Sequence, residues 1–385
     1  MRVKRENRRS ILCTVIFMVR SLLPFDRPVL SHALSRAEGS VEGLRTLPFD
    51  GLRTLLWAGL ALAVLWLTGC GRPAAVSGTV VLYTSVPTVI IEELKQEFEA
   101  QNPGMYLQIY RKGTSAVVEK INEEIAAGQV QADVIWVANF TVGEELKEKG
   151  VLLPYTPPEA AEIPDILKEE DGYYCAGRLL IMVVAYNTDT VSAIPTGYKD
   201  LLDKRYRGRI GHDTPETSGS LQYFMGTLLP DPDFGEEFLT ALAENAPQIQ
   251  TSTKTTQRIA DGELDMGITI DNTVRKLLKE NPGAPIDYVY PEAGVVMVPS
   301  PIAIFKDSQN IEVAKVFVRY ILSKRGQAVL RDLGGYVPVR LDVSPPERIT
   351  SITQLKVIPS DKHWITEHKD EIVSKFIGIF GPRED

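Results

Sequence analysis

Two short segments rich in small hydroxyl side chains precede helix-like patterns, and such segments can bind an anion. The first is Gly113-Thr114-Ser115 and the second is Thr217-Ser218-Gly219-Ser220. At the start of a helix, free backbone N–H groups and hydroxyls face a ligand at the positive end of the helix dipole. The same residue types are also ordinary helix caps. A phosphate or phosphonate held between two such helix starts would need few full positive charges.

Other polar and aromatic side chains end or follow strand-like patterns, where open parallel sheets bind ligands, while Arg178 begins the apolar run at 178–186 and Tyr290 lies just before the run at 295–305. These candidates are Tyr83, Ser85, Trp136, Asn139, Arg178, Asp271 and Tyr290. The arginine could supply a fixed positive charge, and the aspartate could receive a ligand amine or help to bind a metal. Each has a structural alternative: core packing for the aromatic side chains, an ion pair for the arginine and a helix cap for the aspartate.

Residue types for covalent or metal chemistry are sparse. The four histidines, at positions 32, 212, 363 and 368, lack the spacing of a zinc site. No nucleophile and base stand out together, and His212 with Ser218 is the one pair to consider. Cys175 would be alone in an exported chain and could form no intrachain disulfide. We expect no enzyme and no cofactor, while the sequence leaves metal binding open.

The charge balance excludes some partners. The chain has 42 basic and 50 acidic side chains, a formal charge of −8. Residues 1–69 carry 10 of the basic and 5 of the acidic ones, so the rest holds 32 against 45 and a formal charge of −13. Nucleic acid and anionic lipid head groups would be repelled by such a surface. We therefore expect no nucleic-acid partner, and an anionic ligand must be bound by local groups.

The elements that must position the candidates alternate between strands and helices from Gly78 onward. A β-branched and aromatic run at 79–83 predicts a strand, and apolar residues at 90, 94 and 98 predict an amphipathic helix after it. A near-continuous apolar run at 132–137 is typical of a strand covered on both faces. This alternation predicts an α/β fold with a parallel, doubly wound sheet.

Two longer apolar strands, at 178–186 and 295–305, bracket a second α/β unit. They are expected to be paired crossings between two lobes. We predict lobe 1 at 79–177 and 300–340, and lobe 2 at 178–299 with the crossing strands at its ends. A helical tail at 341–385 completes the chain, and the sequence does not indicate which lobe it packs on.

The N-terminal residues have the pattern of an export signal. An uncharged apolar run at 55–67 is shorter than the roughly 20 residues of a membrane-spanning helix and suits a secretory signal. Thr68-Gly69-Cys70 then resembles the lipobox of bacterial lipoproteins; a buried helix ending in a structural cysteine is the alternative. We expect a leader at 1–69, a lipidated Cys70, a tether at 70–78, and a protein anchored to the cell membrane that faces the periplasm or the cell exterior.

Residues 1–50 fit a signal peptide less simply. The first 20 residues hold six Lys or Arg against one acidic residue, and a second apolar patch lies at 11–19. This stretch is either an unusually long basic region or the product of an upstream start that is not used. We favour the unused start because ordinary basic regions are short.

Seven segments resemble, in order, the periplasmic solute-binding proteins of ABC importers, in the branch of ferric-iron, phosphonate and sugar-phosphate binders. They are Val81–Ser85, Gln131–Val137, Ala185–Thr188, Thr217–Ser220, Asp261–Asp265, Ser300–Ile304 and Gly335–Pro338. The resemblance implies a two-lobe periplasmic-binding-protein fold, each lobe a mostly parallel sheet flanked by helices, closing on a small solute. It also implies delivery to a membrane permease and its ATPase, and we expect a monomer.

The sequence departs from the ferric pattern at two places. Where the iron binders of this branch have an adjacent tyrosine pair, the chain reads Ile270-Asp271-Asn272-Thr273, and where they have a glutamate it reads Val137-Ala138-Asn139. A hard trivalent cation needs phenolate and carboxylate oxygens. The leading expectation is therefore capture of a phosphonate or phosphate ester. The alternative is ferric ion bound with a bridging anion through other ligands.

Overall fold

The computed structural model describes residues 76–250, 254–349 and 351–381. The leader predicted at 1–69, Cys70 and most of the tether lie outside the described residues. None of the helices in the described ranges is both long enough and apolar enough to cross a membrane.

Strands and helices alternate along the described chain. The strands are β1 Gly78–Thr84, β2 Met105–Arg111, β3 Val134–Trp136, β4 Leu152–Leu153, β5 Cys175–Asn187, β6 Ile210–Asp213, β7 Gln248–Gln250, β8 Met266–Ile270, β9 Ile286–Val289 and β10 Met297–Phe305. The helices are α1 Thr88–Gln101, α2 Thr114–Ala126, α3 Thr141–Glu148, α4 Gly219–Leu228, α5 Gly235–Glu244, α6 Lys254–Ala260, α7 Asp271–Glu280, α8 Ile311–Leu322, α9 Lys324–Gly334, α10 Lys362–Glu367 and α11 Lys369–Phe380.

The strands form one continuous sheet in the order β2-β1-β3-β10-β5-β8-β6-β7, with β4 beside β10 and β9 beside β5. The pairs β1–β2, β1–β3, β6–β7 and β6–β8 are parallel, as the alternation predicts. We call β2, β1, β3, β10, β4 and the first part of β5 the first half-sheet. The rest of β5 with β9, β8, β6 and β7 is the second half-sheet.

Strand β5 connects the two half-sheets, and all thirteen of its residues are buried. It pairs with β10 as far as Ile181 and with β8 from Met182 onward. The register of β10 shifts between Ser300 and Pro301, because proline lacks the N–H that a regular ladder needs. The strands predicted as crossings are thus β5 and β10, although β10 itself pairs only within the first half-sheet.

The helices cover the sheet with the apolar faces that the periodicity predicts. In α1 the buried residues are Ile90, Ile91, Leu94 and Phe98. The Phe98 ring packs edge-on against Phe317 of α8, with centroids 5.3 Å apart. Burial of these side chains stabilises the layer by roughly 1.5–3 kcal/mol each.

The C-terminal helices α10 and α11 contact both halves of the molecule. They pack on α3, which lies against β10 of the first half-sheet, on α4, which follows β6 in the chain and also contacts β10, and on α5. The sequence pattern predicted the helical tail but not this placement.

Candidate functional site

The carboxyl ends of β1 and β3 meet Arg178 of β5 at one edge of the first half-sheet. The backbone N–H of Ser85 donates to the carbonyl of Trp136 at 3.2 Å, which joins the two strand ends. The Ser85 hydroxyl oxygen accepts from the backbone N–H of Ala138 at 3.0 Å and from Arg178 Nη2 at 3.4 Å. The structure therefore brings three predicted site residues together where parallel sheets bind ligands.

The guanidinium of Arg178 is buried and donates its hydrogen bonds to uncharged groups. Its Nε donates to the hydroxyl of Ser300 at 3.0 Å, and its Nη1 donates to the hydroxyl of Tyr336 at 2.9 Å. Its central carbon lies 5.9 Å from the ring of Trp136 and 5.4 Å from that of Tyr336, and the residue is 3% exposed. In the described part of the chain its hydrogen-bond partners are hydroxyls alone. A buried arginine cannot lose its proton, so this charge is available for an anion.

Arg111, which the sequence analysis missed, adds a second positive charge at this edge. It is the last residue of β2, and its Nε donates to the carbonyl of Val86 at 3.2 Å. The side chain reaches solvent, yet partial burial and then the charge of Arg178 lower its pKa. Two guanidiniums thus contact the turn at 85–86 and repel each other. The signal for it was a cation at a strand end two residues before Gly113.

The two hydroxyl-rich segments touch each other. A Cβ atom at Gly219 would lie 2.8 Å from Cγ2 of Thr114, and one at Gly113 would lie 3.3 Å from the carbonyl oxygen of Thr217. Only glycine fits against Thr114 without a shift of either chain. Because α2 begins at Thr114 and α4 begins at Gly219, two helix starts from opposite halves of the molecule meet here.

The hydroxyls in these segments have partly structural roles. The oxygen of Ser218 accepts from the backbone N–H of Leu221 at 3.3 Å, the capping alternative, and lies 3.1 Å from the oxygen of Ser220. Ser115 and Thr217 are exposed. Ser218 therefore caps α4, whereas no described side chain caps the start of α2, so the capping alternative holds for the second segment only.

Asn139 bridges the two halves. It adopts a φ of 83°, a left-handed conformation that asparagine tolerates better than most residues. Its Oδ1 accepts from the backbone N–H and the hydroxyl of Thr141, at 3.0 and 2.7 Å, and its Nδ2 donates to Gln222 of α4 at 3.2 Å. The side chain is fully buried, so in this arrangement Asn139 fastens α3 to α4.

Two predicted aromatic residues are held by the protein. The hydroxyl of Tyr83 donates to Glu124 of α2 at 2.8 Å, and burial, followed by that hydrogen bond, raises its pKa to about 12. Trp136 is fully buried, and a Cβ at Gly177 would lie 2.6 Å from its Nε1. These contacts agree with the structural alternative of core packing for both residues. The face of the Trp136 ring also lies near Arg178.

Asp271 and Tyr290 belong to a separate buried network. The Asp271 carboxylate accepts from Arg275 Nη2 at 2.7 Å and from the hydroxyl of Tyr290 at 3.1 Å, and it is fully buried. Burial raises its pKa, and the charge of Arg275 opposes that shift. Arg275 also donates to the carbonyl of Gly335 from Nε at 2.9 Å and Nη2 at 2.7 Å. The Asp271 carboxylate, which was predicted to receive a ligand amine, is thus already hydrogen-bonded to Arg275 and Tyr290.

A second acidic residue, also missed by sequence analysis, lies beside the Thr217–Ser220 segment. Asp213 ends β6, and burial raises its pKa to about 6, partly opposed by a hydrogen bond from Ser218. A carboxylate at a strand end of the second half-sheet is suitably placed for a cationic group. In the described ranges no three His, Cys, Asp or Glu side chains cluster as a metal site would require.

Comparison with known proteins gives a family and a fold. A family described as bacterial extracellular solute-binding protein matches residues 93–357. A relative from Salmonella typhi, named as a candidate 2-aminoethylphosphonate-binding periplasmic protein, is 24% identical over 260 residues. That alignment covers 63% of this chain and 72% of the relative.

Solved structures resemble the described fold over most of the chain. The periplasmic binding protein AfuA from Actinobacillus pleuropneumoniae, with fructose 6-phosphate bound, superposes with a TM-score of 0.71 at 24% identity, covering 80% of this chain and all of that one. Iron-bound HitA from Pseudomonas aeruginosa gives a TM-score of 0.69 at 22% identity, covering 78% and 99%. This likeness confirms the predicted two-lobe α/β fold.

Proposed function

The chain belongs to the bacterial extracellular solute-binding proteins, and from that premise we propose that it captures a small phosphonate or phosphate ester between its two half-sheets. The observation that carries the proposal is Arg178, a buried guanidinium whose described hydrogen-bond partners are all uncharged hydroxyls. Burial of an uncompensated charge is costly, and an anion bound beside it offsets that cost.

The groups around Arg178 suit a doubly charged anion. Arg111 supplies the second positive charge, and an anion bound near both guanidiniums would offset their mutual repulsion. The helix starts at Thr114 and Gly219 are in contact with each other and would add backbone N–H groups to the site. Asp213 receives an amine where the solute carries one. The remaining acidic surface repels anions, so recognition is local.

The named relatives support this chemistry. The Salmonella relative carries 2-aminoethylphosphonate binding in its name, and the AfuA structure holds a sugar phosphate. Both solutes combine a phosphorus oxyanion with a small polar group. We propose a binding role without catalysis, in a monomer.

We further propose that the protein works outside the cytoplasmic membrane, held by a lipid on Cys70 and a tether to residue 78. From there it delivers its solute to the permease and ATPase of an ABC importer. The lobes would be 79–177 with 300–340, and 178–299. The predicted lipobox supports the anchor, and the division of the sheet at Ile181 and Met182 supports the lobes.

Ferric ion with a bridging anion is the second candidate, favoured by the likeness to iron-bound HitA. The chemistry of the described residues favours it less. In place of the tyrosine pair stand Asp271 and Asn272, and the Asp271 carboxylate is paired with Arg275. Iron would need a different set of oxygen ligands.

A thermal-shift titration of the chain from residue 71 tests the proposal. The probes are 2-aminoethylphosphonate, fructose 6-phosphate, inorganic phosphate and ferric citrate. At roughly 100 times Kd, the true solute adds about 2.7 kcal/mol to the free energy of unfolding. We expect a phosphonate or phosphate ester to give this stabilisation in the parent chain, and we expect the Arg178→Gln variant to show none with the same solute. Stabilisation by ferric citrate alone, with a visible charge-transfer band, would establish the second candidate instead.

A further inference from the structure

The end of the chain forms a strap across the two halves of the molecule. We define the strap as residues 360–380, which include α10 and α11. It contacts α3 on one side and α4 and α5 on the other. Helices α3 and α4 are the two that Asn139 fastens together at the cleft, so the strap spans the same pair of helices.

The contact of the strap with the second half is apolar and closely fitted. A Cβ at Gly226 of α4 would lie 2.8 Å from Cγ2 of Ile365 and 2.9 Å from Cδ1 of Ile372. Both isoleucines are fully buried. The rings of Phe376 and Phe380 pack on His212 of β6, with centroids 5.8 and 5.1 Å away. Separating these surfaces would expose apolar area, so this contact is permanent in the folded protein.

The contact of the strap with the first half has a different chemistry. Lys362 Nζ lies 2.6 Å from Oε1 of Glu144, and Lys369 Nζ lies 2.7 Å from Oε2 of Glu145. Both carboxylates belong to α3, which begins two residues after Asn139. The lysine side chains are about one third exposed, at 31% and 36%. The carboxylates are less exposed, at 4% for Glu144 and 14% for Glu145, so these pairs are stronger than surface pairs while the halves are together. Their lysines reach solvent, and salt weakens the pairs.

We propose that the strap moves with the second half of the molecule and closes on α3 through Lys362 and Lys369, so that it stabilises the closed cleft. The contrast between a fully buried apolar contact and an ionic contact whose lysines reach solvent carries the inference. When the halves separate, the ionic contact breaks and the apolar contact holds. The effect on solute affinity rests on the proposed function, whereas the effect on closure does not.

The test compares two sets of lysines by fluorescence energy transfer between the halves. Dyes are attached at Val89→Cys and Ile194→Cys, which are 65% and 70% exposed in the two halves. The protein used begins at residue 71 and so lacks Cys13 and Cys70, and burial raises the pKa of the native Cys175 thiol to about 12, which keeps that cysteine unlabelled. The test variant is Lys362→Gln with Lys369→Gln. The control is Lys375→Gln, because Lys375 pairs with Glu236 of α5 at 2.6 Å, within the half that the strap already follows.

Without any solute, we expect the double variant to be less closed than the parent chain at about 50 mM salt, and the two to converge near 1 M salt. The control should behave like the parent chain at both salt concentrations. In a separate titration, the double variant should bind 2-aminoethylphosphonate about fivefold more weakly.

If the double variant and the parent chain are equally closed at low salt, and circular dichroism shows that both are folded, the proposed role of the strap is wrong. An equal loss of closure in the Lys375→Gln control would overturn it too. Failure of every phosphonate and phosphate to bind would instead count against the proposed function, because the solute-free measurement of closure is unaffected by it.

Discussion

Two buried arginines, Arg178 and Arg275, have opposite surroundings. Arg275 pairs with the carboxylate of Asp271 and donates to two tyrosine hydroxyls and the carbonyl of Gly335. The hydrogen-bond partners described for Arg178 are three hydroxyls. The same side chain is thus neutralised in one place and left charged in the other. The comparison teaches that an arginine proposed to bind a ligand can be identified by the absence of a carboxylate among its described partners.

The two arginines are also linked through the chain. Arg275 holds the carbonyl of Gly335, and the next residue, Tyr336, accepts a hydrogen bond from Arg178. Gly335 has a φ of 67°, which allows the sharp turn between these contacts. The paired arginine therefore positions the partner of the unpaired one, although they lie in different regions.

The largest expected effect is on the paired arginine. Arg275→Met should lower the free energy of unfolding by about 3–5 kcal/mol, because it leaves the Asp271 carboxylate buried and unpaired. Urea denaturation measures the change. Asp271→Leu with Arg275→Met should recover most of the loss, since no buried charge is left alone. A loss under about 1 kcal/mol from Arg275→Met would remove the contrast with Arg178.

A buried histidine sharpens the comparison, because histidine can discard its charge and arginine cannot. His212 is 2% exposed, and burial lowers its pKa to about 4, partly opposed by a hydrogen bond with the carbonyl of Asp213. The unfolded chain takes up this proton near pH 6.5, so the folded state loses stability between about pH 6.5 and 4.

We therefore expect the unfolding free energy of the parent chain, relative to His212→Gln, to fall by about 3 kcal/mol over that pH interval. Urea titrations at several pH values measure it. A difference between the two chains that does not change with pH would mean that folding does not lower the pKa of His212, and the contrast with Arg178 would fail.

Arg178→Gln should weaken binding of a phosphonate or phosphate ester about 100-fold, because the buried charge of the site is removed. The free energy of unfolding should change by less than about 1 kcal/mol, in contrast to Arg275→Met. Calorimetric titration and urea denaturation give the two numbers. Arg111→Gln, at the exposed edge, should cost less affinity. Unchanged binding by Arg178→Gln would show that its charge serves the fold.

The smallest effect concerns the contact between the helix starts. Gly219→Ala should reduce affinity about tenfold, because the new methyl group meets Thr114 and hinders closure on the solute. Gly113→Ala, with a looser contact at 3.3 Å, is the matched control and should lose less affinity. Calorimetry measures both. A larger loss from the control would mean that this contact does not limit closure.

The repeating elements could be predicted from the sequence because their signals are local. The spacing of Ile90, Leu94 and Phe98 predicted α1, and all three are buried. The hydroxyl-rich segments were expected before helices, and α2 and α4 begin within them. That the two segments touch depends on the closed arrangement of the halves, which no local pattern encodes.

The charge environment of the site was harder to predict. Ser300 and Tyr336 contact Arg178 across 122 and 158 residues of sequence, a separation that no short motif spans. The pairing of Asp271 with Arg275, by contrast, could have been predicted from the sequence, because side chains four residues apart on a helix are neighbours.

The path of β10 has a consequence for how the chain folds as it emerges. Strand β3 pairs with β1 on one side and with β10 on the other, so its second edge has no partner until residue 305 has appeared. Long-range pairing of this kind is slow, and open strand edges promote aggregation. Nearly all of the second half must therefore be synthesised before the sheet of the first half can be completed. A chaperone that shields the waiting edge of β3 would raise the yield of native protein.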